Sequence, residues 1–270
     1  MRLRLLVDGA ADGAVNMAVD ETLLDSAMEP DALATLRLYR FRSPTVTFGY
    51  SQAVSDAVDP AACERLGVDY VRRITGGRAL LHQHELTYSF AAPARTHSVK
   101  SVYRTVTGAI RSALERLEIP LDPPEWCQES PISRGAPQLP CLAVTTGHEI
   151  TAANGCKLVP SALRFRRRAY LQHGSILGSV DPGLWKQLSP PGRNDALRAV
   201  GIRDLSAAEP PLEDDLIEAL ASSFAELAGV SPVVATSLSP EEVDWARKLE
   251  RKYRSQSWTR QASNERMSLG

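Results

Sequence analysis

The segment RRITGGRALLH sets Gly76 and Gly77 between two strand-like stretches, with Arg72, Arg73 and Arg78 around them. Paired glycines let a backbone approach a ligand closely or take positive φ, and successive N–H groups in such a turn meet an anion or a polarised carbonyl. A tight hairpin turn with solvated arginines is the alternative, and the spacing alone leaves both open. Cys63, Cys127, Cys141 and Cys156 include no C-x-x-C pair, so they form neither a disulfide framework nor a zinc signature, and no metal site is expected. A free thiol is a nucleophile where its neighbours favour the thiolate, and otherwise a small buried apolar group. Lys157 follows an Asn-Gly pair, His82 follows the glycine segment, and His173 lies in LQHGSIL. Each also has an ordinary reading: an exposed lysine, a satisfied histidine, a structural turn.

The elements that would position these residues follow from periodicity. RLRLLVD predicts an opening strand, and Ala14 to Met28 an amphipathic helix. LRLYRF and TVTFGYSQ predict two adjacent strands, Pro60 to Leu66 a short helix ended by Gly67, and VDYVRRI another strand. ALLH and ELTYSF suggest a hairpin. The apolar residues from Val99 to Leu117 recur with a helical period, and the proline-rich stretch Pro120 to Pro140 predicts a loop. HEITAANGCKLV reads as strand, Asn-Gly turn and strand, and RRRAYLQHGSILGSV as a strand with a turn at its centre. Late helices are expected over Leu212 to Leu227 and Val243 to Tyr253, the second announced by Ser239, Pro240 and Glu242. Strands in runs, broken by a few helices, predict an α+β fold with a mixed or antiparallel sheet packed against helices. The tail QASNERMSLG is expected to fray.

Composition narrows the classes. With 31 Lys+Arg against 32 Asp+Glu and 43% apolar residues, the chain describes a soluble globular protein without a global field towards nucleic acid or anionic membrane. Arg164, Arg166, Arg167 and Arg168 form a dense basic run, suited to steering an acidic partner or merely a solvated strand face. No stretch approaches the ~20 apolar residues of a membrane span, and the N-terminus lacks a signal-peptide core, so a cytoplasmic protein is expected.

Five segments in order, NMAVDETLL, YRFRSPTVTFGYSQ, VRRITGGRALLHQHELTYS, CKLVPSAL and LQHGSIL, resemble the biotin/lipoate protein ligase and octanoyltransferase superfamily. The resemblance runs from about Arg2 to Val180, with a weaker echo in EEVDWARKLERKYRSQSW. It implies a lipoate-ligase-like catalytic domain over residues 1–205, with 206–270 as a helical C-terminal appendage of the same domain. It further implies a tunnel for a medium-chain acyl group and transfer to a lysine of a lipoyl carrier domain, such as the glycine cleavage H protein or a 2-oxoacid dehydrogenase E2. Ligases of the superfamily make an acyl-adenylate with ATP. Its transferases use octanoyl-acyl carrier protein and need no nucleotide, so no cofactor is expected.

In the transferase branch that works through an acyl-enzyme, a cysteine sits on a loop shortly before the strand pair bearing the lysine. Cys141 matches that place, Glu149 follows as in the family pattern, and Lys157 comes after the hairpin turn. Arg78 after the glycine pair also looks more like this branch. The implied roles are Cys141 as nucleophile, Lys157 as its activator, and Arg73, Gly76, Gly77, Arg78 and His82 as substrate-binding residues. Of the other thiols, Cys63 lies in an expected helix, Cys127 in the proline-rich loop, and Cys156 points away from its neighbour Lys157 on a strand. The family's lysine segment usually reads G-x-K-x-x-G-S-A-Q, whereas Pro160 and Leu163 stand here for glycine and glutamine, and Gln83 stands where an acidic residue is common. The alternatives are an ATP-dependent lipoate ligase, which has no need of Cys141, and a non-catalytic acyl-carrier-binding protein.

Overall fold

Asp12 separates the first two elements: β1 (Leu3–Ala11) ends before it, and its carboxylate accepts from the Val15 amide at 3.0 Å to cap α1 (Gly13–Ser26). The chain is described here from a computed structural model over residues 3–94, 98–123, 141–143, 149–192, 197–205, 210–230 and 235–260. After α1 the chain returns as β2 (Ala34–Phe41), parallel to β1. It then leaves that sheet to build a smaller one from β3 (Thr45–Phe48), β4 (Asp69–Arg72) and β5 (Leu80–His82), in the order β4-β3-β5. Two short helices, α2 (Val54–Ala57) and α3 (Pro60–Leu66), connect β3 to β4, and Gly67 ends α3 at φ 64°.

β6 (Glu85–Pro93) crosses back to the large sheet, and α4 (Val99–Arg116) follows behind a Ser98–Ser101 capping box. Cys141–Ala143 forms a single 3₁₀ turn. Next come the hairpin β7 (Ile150–Thr151) and β8 (Lys157–Val159), then β9 (Ser161–Arg166) and β10 (Ala169–Leu177). α5 (Pro182–Leu188), α6 (Glu213–Ala228), β11 (Ala235–Thr236), α7 (Pro240–Arg254) and α8 (Gln256–Arg260) complete the described chain. The large sheet runs β11-β1-β2-β6-β10-β9, with parallel pairing at β11-β1-β2 and antiparallel pairing beyond, so the mixed-sheet α+β expectation holds.

Helices cover both faces of that sheet. α4 and α6 pack on one face around Leu36, Phe90 and Phe224, and α1 and α7 on the other around Leu6, Leu24 and Tyr253. A third cluster, with Phe48, Cys63 and Trp185, lies under the small sheet. Among the described residues no helix is long and apolar enough to cross a membrane.

Three local expectations change. TVTF does not lie beside LRLYRF, because β2 and β3 belong to different sheets. ALLH and ELTYSF are not a hairpin either: β5 pairs with β3, while β6, buried on both faces, is a central strand between β2 and β10. The expected turn at His173–Gly174 is uninterrupted strand, and the reversal falls at Arg167, φ 52°. Gly174 serves close packing instead, since a Cβ there would strike the Pro160 carbonyl and lie 2.8 Å from Ser161 Oγ. Most of the proline-rich loop, with Cys127, and also His148 and the frayed-tail segment, lie outside the described residues.

Candidate active site

Cys141 and Lys157 are brought together by a backbone ladder rather than by their own elements. The Cys141 N–H donates to the Ala79 carbonyl at 3.0 Å, and Leu142 packs with Leu80 and Leu177, which docks the 3₁₀ turn on β5. The segment around Arg198 then bridges turn and hairpin: Arg198 N–H donates to the Leu142 carbonyl at 2.7 Å, and Lys157 N–H to the Arg198 carbonyl at 2.8 Å. Gly155, at φ 73°, makes the tight reversal that returns the chain into β8. Lys157 itself is 1% exposed.

Within this frame Lys157 Nζ donates to the Cys141 carbonyl at 2.6 Å, lies 3.8 Å from Cys141 Sγ, and pairs with Glu149 Oε2 at 2.8 Å. Burial pushes the Cys141 thiol up; Lys157, Arg73 and Arg78 draw it down, Glu149 adds to the rise, and the net direction is upward. Burial alone would lower Lys157, but the sulfur and the Glu149 carboxylate outweigh it, and the ammonium is held above its ordinary range. The site therefore holds a thiol raised by burial beside the ammonium of the Lys157–Glu149 ion pair. Such a thiol becomes a thiolate as it reacts, with a cation already in place.

These groups open into a cavity of about 310 Å³, at the small end of ligand sites. Arg73, Gly76, Gly77, Arg78 and His82 all line it, as do Cys141 and Lys157. So do Pro160 and Leu163, which puts both departures from the family's lysine segment in the pocket wall. Of the other thiols, Cys63 is buried in α3 and pushed up to about 11 by burial and by Asp59 and Asp69, and Cys156 is half-buried at the hairpin turn.

Arg73 organises the floor. Its Nε donates to Thr75 Oγ1 at 3.1 Å and its Nη1 to Thr47 Oγ1 at 3.1 Å, while Nη2 donates to the carbonyls of Gly76 and Arg78. Each threonine hydroxyl also meets a histidine: Thr75 Oγ1 lies 2.7 Å from His173 Nε2 and Thr47 Oγ1 2.9 Å from His82 Nε2. The other ring nitrogen faces a carboxylate, which only accepts, so Nδ1 carries a proton in both: Asp20 Oδ2 lies at 2.9 Å for His173 and Glu85 Oε1 at 3.1 Å for His82. The carboxylate beside His82 thus comes from Glu85 rather than from the position of Gln83. Burial keeps His173 below its ordinary value in spite of Asp20, and Arg73 is drawn down to about 10 by burial.

Sequence reasoning missed this network. Asp20 is 1% exposed and accepts from Arg37 Nη1 and Tyr39 OH, each at 2.9 Å; burial opposes its ionised form, but the His173 contact and the Arg37 charge hold it below the usual range. The available signal was the Asp20–Glu21 pair inside NMAVDETLL, two carboxylates within an otherwise apolar helix. Tyr103 was legible only as part of the apolar face of α4, yet it lines the cavity. Among the described residues no group of three or more His, Cys, Asp or Glu is placed to hold a metal ion.

A mixed sheet sandwiched by helices, with a pocket at the junction of two sheets, is the fold of lipoate protein ligases. It matches a lipoate-protein ligase A bound with ATP at a TM-score of 0.81 (24% identity, 97% of this chain and 100% of that one). It also matches a bipartite lipoate protein ligase from Thermoplasma acidophilum, studied with its E2 lipoyl domain, at 0.79 (21% identity, 99% of each). The chain belongs to the lipoyl protein ligase A/B catalytic domain family, whose model matches residues 12–207. Among curated relatives, the octanoyltransferase LipM of Kyrpidia tusciae is 36% identical over 94% of this chain and 97% of its own. That of Carboxydothermus hydrogenoformans is 34% identical over 91% and 94% respectively.

Proposed function

We propose that the protein is an octanoyltransferase that takes octanoyl from octanoyl-acyl carrier protein onto Cys141 as a thioester and passes it to a lysine of a lipoyl carrier domain. The observation that carries the reading is the placement of Lys157 Nζ 3.8 Å from Cys141 Sγ at the wall of the pocket. The names of the full-length relatives support octanoyl transfer. Exchange between two thioesters is nearly isoenergetic, so formation of the intermediate needs no ATP, and amide formation drives the second half. Lys157 stabilises first the thiolate and then the oxyanion, with the exposed Gly76–Gly77 turn as a further source of N–H donors. Leu163 gives the wall an apolar side chain, which suits an unfunctionalised hydrocarbon at about 0.8 kcal/mol per buried methylene.

Intact-mass spectrometry after incubation with octanoyl-acyl carrier protein, without ATP, tests this. The wild type and Cys156→Ala gain one octanoyl group, and Cys141→Ala gains none. Transfer that persists in Cys141→Ala, or that requires ATP and free acid, would replace the reading with that of an ATP-dependent ligase.

A further inference from the structure

An amine that attacks a thioester carries one proton too many, and the sulfur it displaces lacks one. Lys157 Nζ lies between two groups that answer both needs, with Glu149 Oε2 at 2.8 Å on one side and Cys141 Sγ at 3.8 Å on the other. Glu149 lines the same cavity as Cys141 and Tyr103, although its side chain is only 5% exposed. A buried carboxylate keeps that ammonium from being an uncompensated buried charge. Glu149 also lines the cavity into which an attacking amine must come, which offers it a second use.

We propose that Glu149 accepts the proton released by the attacking amine while Lys157 delivers a proton to the departing sulfur, so that the two form a relay between nucleophile and leaving group. This rests on the thioester reading above. The nitrogen lone pair of the acceptor lysine forms the C–N bond with the acyl carbon. The C–S bond then breaks, its electron pair going to Cys141 Sγ, and the Lys157 ammonium protonates that sulfur. The surplus proton on nitrogen passes to Glu149, which returns it to Lys157 Nζ across the 2.8 Å contact. One acyl-enzyme and one neutral amine become one amide and one thiol, and the resting ammonium–carboxylate pair is restored with nothing else consumed. The upward shift of the Cys141 thiol, to which Glu149 itself contributes, fits a sulfur that leaves best as a thiol.

The test compares the full-length wild type with Glu149→Gln, which keeps the size of the side chain and an acceptor for Lys157. Octanoylation by octanoyl-acyl carrier protein is followed by intact mass. The acyl-enzyme is then consumed in single turnover either by a lipoyl domain or by hydroxylamine, a weakly basic amine whose adduct sheds its proton to water unaided. Acylation of Glu149→Gln is first run to completion, so that only the second half-reaction is compared. Transfer to the lipoyl lysine should fall by about 10²- to 10⁴-fold, the usual range for a lost proton acceptor, with hydroxylamine consumption little changed. Equal slowing towards both amines, or unaltered transfer to the lipoyl domain, would overturn the proposal. Should Glu149→Gln fail to fold, Glu149→Asp gives the same comparison: it retains the carboxylate, so transfer to the lipoyl lysine must stay well above that of a Glu149→Ala protein. A wild type that never gains the acyl mass overturns the thioester reading and this relay with it, whereas an acylated wild type with both amines slowed in the variant overturns the relay alone.

Discussion

Arg73 shows how much of a site one residue can organise. Its guanidinium donates to two threonine hydroxyls, which in turn meet His82 and His173. The glycines of RRITGGR are legible as a turn, but nothing in the stretch reveals that Thr47 will meet Arg73 and His173 will meet Thr75, since they arrive from β3 and β10. Cys141 and Lys157 were found through the resemblance to the octanoyltransferases, since the backbone ladder that joins them leaves no local mark in the sequence. The histidine network also sets the acid limit of the fold. His173 and Asp20 both have folded-state values held down, from 6.5 and 3.8 respectively, so the unfolded chain binds more protons at low pH. The stability they contribute is complete above those unfolded values and is lost as pH falls, the histidine part first, from about 6.5, and the aspartate part from about 3.8. Each unit of depression is worth about 1.4 kcal/mol. Urea unfolding at pH 7.0, 6.0 and 5.0 should show a progressive decrease, and a midpoint constant down to pH 5 would contradict the neutral, buried imidazole.

At the scale of elements, the glycine turn separates two demands that look alike in the sequence. Gly77 sits at φ 91°, and a Cβ there would lie 2.8 Å from Arg73 Nη2. Gly76 has open space where its Cβ would stand and faces the cavity. Gly77→Val should therefore destabilise the fold by about 1–2 kcal/mol or more, the cost of a side chain at positive φ. Gly76→Val should keep its thermal midpoint within about 0.5 kcal/mol of wild type yet raise KM for octanoyl transfer, because the new side chain projects into the pocket. Calorimetry and steady-state kinetics on the pair decide it, and a reversed order of stabilities would refute the assignment. The longer helices, the Ser239 cap and the Asn-Gly hairpin were legible, since each depends on neighbours within a turn or two. By contrast, α1 is buried on nearly every side rather than amphipathic, and the short α2, α5 and α8 left no readable period. The assignment of β3 and β5 to a separate sheet was not, because strand pattern carries no record of partner.

For the whole molecule, the basic run near Arg164 has less free charge than its sequence suggests. Arg166 is taken up by Glu21 and Asp25, and Arg168 Nε donates to the Met28 carbonyl, so the run chiefly ties the β9–β10 hairpin to α1. The C-terminal helices are likewise built into the fold, through Arg4 with Glu242 and through Arg72. Arg72 donates to the carbonyls of Gly49, Tyr50 and Gln52 on one side and of Trp258 and Thr259 on the other. Loop 49–52 in turn lies against the glycine turn, where a Cβ on Gly49 would run into the Gly77 carbonyl. Trp258 closes this brace with its indole N–H on the Arg72 carbonyl at 2.9 Å and its ring 5.8 Å from Tyr50. Trp258→Ala should cost about 2 kcal/mol, less than the ~3–5 of a fully buried aromatic, and should speed hydrogen exchange at residues 49–52 and 75–78 ahead of α4. Uniform acceleration across the chain would count against a brace. The same arrangement imposes an order on biosynthesis. At ~5–20 residues per second, α8 leaves the ribosome roughly 10–40 s after the glycine turn it steadies. A nascent chain thus carries Cys141 and the pocket arginines well before the pocket is braced, and acyltransferase competence is expected only once translation has passed α8.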